Sequence, residues 1–138
     1  MKRTLTMLVL LFVVSPLLVF AGSPIQDLLD NPVPIKPDGS MYSVEDVKNA
    51  IIKACQERGW TPKPDGDSKV IASILVRNKH YAEIEIAFTT STYSIRYLSS
   101  RNLDYDEEHR EIHRNYNKWV VMLSSSIQRQ FGVRSQMF

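Results

Sequence analysis

The sequence predicts an α+β domain: a two-layer sandwich in which an antiparallel meander of three or four strands carries an N-terminal and a C-terminal helix on one face, in the order α-β-β-β-β-α. Three observations carry this expectation. Apolar residues recur at three- and four-residue spacing from Val44 to Cys55, and again from Ile112 to Ile127. Between these stretches the period changes to two, broken by turn formers. Two amphipathic helices and one half-apolar sheet bury their apolar surfaces most simply when both helices cover the same sheet face.

The chain of 138 residues opens with a different kind of segment. Lys2 and Arg3 form a basic start, Leu5 to Val14 is almost unbroken apolar sequence, and Pro16 precedes the small-residue ending Val19-Phe20-Ala21. This is the layout of a secretory signal, and it predicts cleavage after Ala21 and a periplasmic or secreted protein. An uncleaved anchor would use the same residues, but Pro16 and the ending favour cleavage. A lipoprotein would need cysteine where Gly22 stands. Cleavage therefore leaves no membrane anchor, and the parts expected are a signal peptide (1–21), a proline-rich leader (22–40), one α+β domain (41–132) and a short tail (133–138).

Pro24, Pro32, Pro34 and Pro37, with Asp30-Asn31 and Asp38-Gly39, make residues 22–40 read as a tether, because proline removes donors and restricts its predecessor to extended geometry. Ser43 then caps the first helix, Glu45 and Asp46 place negative charge at its positive end, and Gly59 ends it. Trp60 to Lys63 reads as a short strand, turned by Pro64-Asp65-Gly66-Asp67 into a second over 69–77. The third strand, 81–88, puts Ala82, Ile84, Ile86 and Phe88 on one side and Glu83 and Glu85 on the other. A two-residue turn at Thr90-Ser91 leads into the fourth, and its register sets Phe88 opposite Tyr93, Ile86 opposite Ile95 and Ile84 opposite Tyr97. On the other face it sets Glu85 opposite Arg96, read as a surface ion pair. A slip of one residue would push Glu85 into the apolar face. The last helix is expected to start at Asp104 and to run through Ile112, Tyr116, Trp119, Val120, Leu123 and Ile127 to Phe131 and Gly132.

Charge removes several function classes. Of 17 basic and 15 acidic residues, Lys2 and Arg3 leave with the signal, so the mature domain is balanced at 15 against 15. That balance gives neither the clustered basic footprint of a nucleic-acid binder nor a polybasic membrane patch. The single cysteine, Cys55, cannot form an internal disulfide and falls on the apolar side of its helix, where it reads as a small buried hydrophobe. No phosphate-binding glycine loop, dinucleotide fingerprint or nucleophile elbow is present, so no catalytic residue is assigned.

Two groups of residues could carry chemistry. His109 and His113, four apart on the expected helix with Asp106 one turn earlier, have the spacing of divalent-metal ligands, and also that of histidines packed at the edge of a core. Tyr97, Arg101, Asn102 and Tyr105 surround the connection from sheet to helix, where they could line a ligand pocket.

Three stretches, IKACQERGW (52–60), YSIRYLSSRNLDY (93–105) and IHRNYNKW (112–119), resemble a family of small uncharacterised bacterial exported proteins, many of them lipoproteins. The resemblance implies export and brings no activity or catalytic residues with it. Gly22 departs from the lipoprotein members. The expected function is a non-enzymatic binding or interaction module whose partner is an envelope protein, a small ligand or a second copy of the chain. A metal-binding protein or metal-dependent enzyme using His109 and His113, and a structural envelope protein, are the alternatives.

Overall fold

The computed structural model describes residues 22–134, so the predicted signal segment and the end of the predicted tail lie outside the described residues. The class is α+β. In chain order the elements are β1 (Ser23–Pro24), β2 (Leu28–Pro32), α1 (Val44–Glu57), β3 (Thr61–Pro64), β4 (Lys69–Val76), β5 (His80–Phe88), β6 (Thr92–Arg101), β7 (Glu111–Ile112) and α2 (Asn115–Gln130). The four expected strands are present as the antiparallel meander β3 to β6, and β2 extends it to five in the order β2-β6-β5-β4-β3. A separate small sheet pairs β1 with β7. No helix among the described residues is long and apolar enough to cross a membrane.

Alternation decides which face of the meander is buried. Val70, Ala72 and Ile74 on β4, Ala82, Ile84, Ile86 and Phe88 on β5, and Tyr93 and Ile95 on β6 join one cluster with Val47, Ile51, Ala54 and Cys55 of α1 and Tyr116, Val120, Leu123 and Ile127 of α2. Ser43 caps α1 by accepting the Asp46 amide at 3.0 Å, as expected, and Gly59 follows the helix end at φ 79°. The Arg58 guanidinium donates its Nε–H to Ser126 Oγ at 2.6 Å, tying the end of α1 to α2.

The β5–β6 register is the expected one from Phe88↔Tyr93 to Ile84↔Tyr97, and Glu85 stands opposite Arg96. The ion pair itself is different, because the Glu85 carboxylate meets Lys69 Nζ at 3.6 Å. Beyond Ile84 the register shifts: Glu83 pairs with Ser99, leaving Leu98 as an extra residue in a β-bulge.

Two expectations are overturned. Residues 22–40 are not a plain tether, because β1 and β2 lie within them and Val33 is buried. An edge strand needs donors on one side only, so prolines are tolerated there. Side chains do much of the tying: Asn31 Nδ2 donates to the Leu28 and Tyr93 carbonyls, and the Tyr97 amide donates to Asp27 Oδ1 at 3.0 Å. The other overturned expectation is the start of the last helix, which is Asn115 and not Asp104. Asn102, Asp104 and Arg110 have φ of 56°, 52° and 49°, a left-handed geometry that a continuous right-handed helix cannot contain. Ile112 is buried as expected, but from β7, where it pairs with Ser23.

Candidate functional site

Of the four residues read as one ligand pocket, Tyr97 and Tyr105 stay together, whereas Arg101 and Asn102 do not join them. Tyr97 packs inward, its ring centroid 4.6 Å from Tyr105 and 5.5 Å from Tyr116, with its hydroxyl 2.8 Å from Ser100 Oγ. Burial pushes the Tyr97 and Tyr116 phenols above their ordinary range. Arg101 lies on the opposite side of the sheet, stacked 4.2 Å above the Tyr81 ring. Four residues of regular strand would keep Tyr97 and Arg101 on one face; the extra residue at Leu98 moves Arg101 to the other.

Asn102 is a structural staple. Its Nδ2 donates to the Lys79 carbonyl at 2.9 Å, and its own carbonyl accepts from His80 Nδ1 at 2.7 Å, so it fixes the β4–β5 turn against the end of β6. Tyr105, at the exposed rim, covers Tyr97.

The metal-ligand spacing also dissolves, since His109 and His113 do not share a helix. Asp106 and Glu111 are bridged through their backbones at 2.8 and 3.2 Å, and His109 projects from the turn between them. There its Nδ1 meets Asp106 Oδ2 at 2.7 Å, with its side chain 63% exposed. His113 is exposed too, and its Nδ1 accepts the Asn115 amide at 3.2 Å at the start of α2. Among the described residues no group of three or more His, Cys, Asp or Glu side chains converges as a metal site.

The Asp106–His109 pair has a defined pH signature. The carboxylate raises the His109 pKa above 6.5, and the bonds from His109 hold Asp106 below 3.8. What the pair contributes through His109 is present below the ordinary histidine pKa and is lost as pH rises through the raised one. Its contribution through Asp106 is present above 3.8 and is lost as pH falls through the lowered value. In a proton NMR titration His109 is expected to have a midpoint above 6.5, and Asp106→Asn should bring it back toward 6.5; an unmoved midpoint in that variant would contradict the pairing.

Cys55 has no accessible chemistry, as its helix position indicated. It is fully buried, and desolvation pushes its thiol up to about 12, so the nucleophilic thiolate is scarce near neutral pH.

The outer face of the sheet gathers charged and apolar side chains on the surface. Register places Lys63, Ile71, Glu85 and Arg96 in one row and Leu75, Tyr81 and Arg101 in another, with Ser73, Glu83 and Ser99 between them. Leu75 is 54% exposed. At one end of this face Lys69, Arg96 and Ser94 border a hollow of about 350 Å³, with Asp30, Thr89 and Thr92 on its rim. Glu83 accepts the Tyr81 hydroxyl and Glu85 is engaged by Lys69, whereas Arg96 forms no ion pair among the described residues. The sheet edges offer less: β2 ends in Pro32, and β3 is Thr-Pro-Lys-Pro, a composition that discourages pairing with a further strand. Sequence reasoning identified the Glu85–Arg96 row but missed the Tyr81–Arg101 pair, which exists only because of the bulge. Comparison with protein-family models, curated proteins and solved structures found no match for this chain.

Proposed function

We propose that the protein is an exported, non-enzymatic interaction module of the bacterial envelope, and that the outer face of its sheet engages an acidic surface of a partner protein. Export rests on the signal pattern of residues 1–21 and on the resemblance to small exported bacterial proteins. In this reading the domain is the two-layer arrangement expected from sequence. Helices α1 and α2 bury one sheet face, leaving the other to a partner.

The observation that carries the proposal is the composition of that outer face. Leu75, Ile71 and Tyr81 supply contact area, and the four cations Lys63, Lys69, Arg96 and Arg101 outnumber the three carboxylates of Glu83, Glu85 and Asp30. Arg96 is available to a carboxylate from outside, with the hollow beside it as the place for an acidic side chain. Proline at both edges disfavours strand addition, so contact falls to the face. His109 and His113 are engaged elsewhere and take no part in this reading.

Site-specific photocrosslinking in the native envelope tests the proposal. A benzophenone side chain at Leu75 is expected to capture a defined protein, with the yield falling several-fold in Arg96→Glu and at high salt; the same group at Lys53 on α1 should not. Equal capture from both positions, or indifference to Arg96, would overturn the proposal. A product of twice the chain mass would identify a second copy in place of an acidic partner.

A further inference from the structure

The start of the described chain is held on both sides by hydrogen bonds. Ser23 pairs with Ile112 and Pro24 with Glu111, the Ile25 amide donates to the Arg110 carbonyl at 2.8 Å, and Asn117 of α2 holds the other side. Its Nδ2 donates to the Pro24 carbonyl at 2.7 Å, and its Oδ1 accepts the Gln26 amide at 3.0 Å. Gly22 itself lies against β7. A Cβ on it would stand 3.4 Å from the Ile112 backbone, an ordinary contact, but 3.1 Å from Glu111 Cβ, closer than a side chain is ordinarily accommodated. Around this residue is a cleft bordered by Asp104, Asp106, Glu111, His113 and Arg114. The lining has three carboxylate residues against one arginine, and the Asp106 carboxylate is already bonded to His109 through both oxygens. The cleft therefore carries an excess of negative charge beside a backbone nitrogen that is neutral while residue 21 remains attached.

We infer that signal removal completes this cleft: cleavage after Ala21 exposes the Gly22 α-ammonium beside the carboxylates of Asp104 and Glu111, which hold it and lock β1 onto β7. This rests on the export reading and its cleavage site. Peptide-bond hydrolysis supplies the group without any other reactant: water adds across the Ala21–Gly22 bond, Ala21 keeps the new carboxylate, and Gly22 leaves as an amine that is protonated at neutral pH. The absence of a Cβ at Gly22 permits the close approach, and an ammonium brings three donors to acceptors that a precursor amide can supply with only one. The mature fold is thus held more firmly than the precursor at the end that the signal occupies. Strand β1 also borders the loop carrying His109, so processing and the order of the 104–111 loop are coupled through Glu111.

Two measurements test this, and they fail separately. The mass of the protein recovered from its own envelope reads the processing step, and a first residue other than Gly22 overturns that step and the lock proposed from it. The second uses chain 22–138 prepared with Gly22 as its first residue and labelled uniformly with ¹³C, so that the titration of its unmodified α-amine is read from the Gly22 carbon shifts. Its α-amine is expected to titrate about one unit above the ordinary 7.7–8.0, a tenfold gain in proton affinity. Glu111→Gln combined with Asp104→Asn should return the midpoint to the ordinary range, and a form that retains Phe20-Ala21 should melt at a lower temperature than the Gly22 form. An ordinary midpoint in the Gly22 protein, or equal melting of the two forms, overturns the lock whatever the cleavage result. Unlike Glu111→Ala, these isosteric changes leave the β1–β7 backbone pairing intact, and the extended form contains no substitution at all.

Discussion

A chain shortened to begin at Met41 is expected to lose its cooperative fold. The tether reading of residues 22–40 requires the opposite, an unchanged domain. The structure assigns several separate losses to the shortening. The β2–β6 ladder disappears, exposing the edge of β6 along Tyr93 and Ile95. Val33 leaves the core, together with the partly buried Ile25 and Leu28 that pack against it. Gln128 Nε2 loses the Pro32 carbonyl at 3.1 Å, and the Tyr97 amide loses Asp27. Three apolar side chains at roughly 1.5–3 kcal/mol each, with hydrogen bonds of about 1 kcal/mol each, amount to at least about 5 kcal/mol. That is comparable with the whole stability of a domain of this size. Circular dichroism with urea denaturation checks it: retention of a sharp transition near that of the mature chain would show that β2 is dispensable.

Ile86→Ala should cost about 3 kcal/mol, while Glu85→Ala, one residue away, should cost less than about 1 kcal/mol. Ile86 is fully buried at the centre of the sheet, between Val70 and Ile95, and its removal leaves a cavity that rigid strands on both sides cannot close. Glu85 points to the outer face, where its loss ends an ion pair with Lys69. With an m-value of about 1.5 kcal/mol/M, the core change would lower the urea midpoint by about 2 M, and the surface change by well under 1 M. Similar shifts for the two variants would refute the register. The comparison also protects the crosslinking test, since substitutions on the outer face can change binding while leaving the fold in place.

The elements with a strong local signal were legible in the sequence. Ser43, the stripe read from Val44 to Cys55 and Gly59 specify α1 with little help from elsewhere, although Val44 in the first turn is exposed and the buried stripe begins at Val47. Alternation along 81–88 matches β5, and the turn at Thr90-Ser91 leads to the register of five consecutive pairs. Other features lacked a local signal. The pentapeptide Leu28-Leu29-Asp30-Asn31-Pro32 has turn formers and proline in place of a strand pattern; it becomes a strand because β6 presents an unpaired edge and Asn31, Ser94 and Gln128 satisfy its polar groups. The candidate site depended on the same kind of information. Tyr97 and Arg101 have the spacing of same-face neighbours, and a single bulged residue separates them.

By itself, the sequence determined what near neighbours can decide: the α+β class, the meander, the apolar face of each long element and the cap of α1, all consequences of periodicity and turn chemistry acting over a few residues. Only the tertiary structure decided that residues 23–32 join two sheets, that α2 waits until Asn115, and that the expected pocket and metal spacing disperse. Those outcomes depend on partners more than 60 residues away, such as Tyr93 for Asn31 and Asn117 for Pro24. A contact across that separation leaves no periodic trace in the segment it orders, because its energy is gained only once both sides have been brought together.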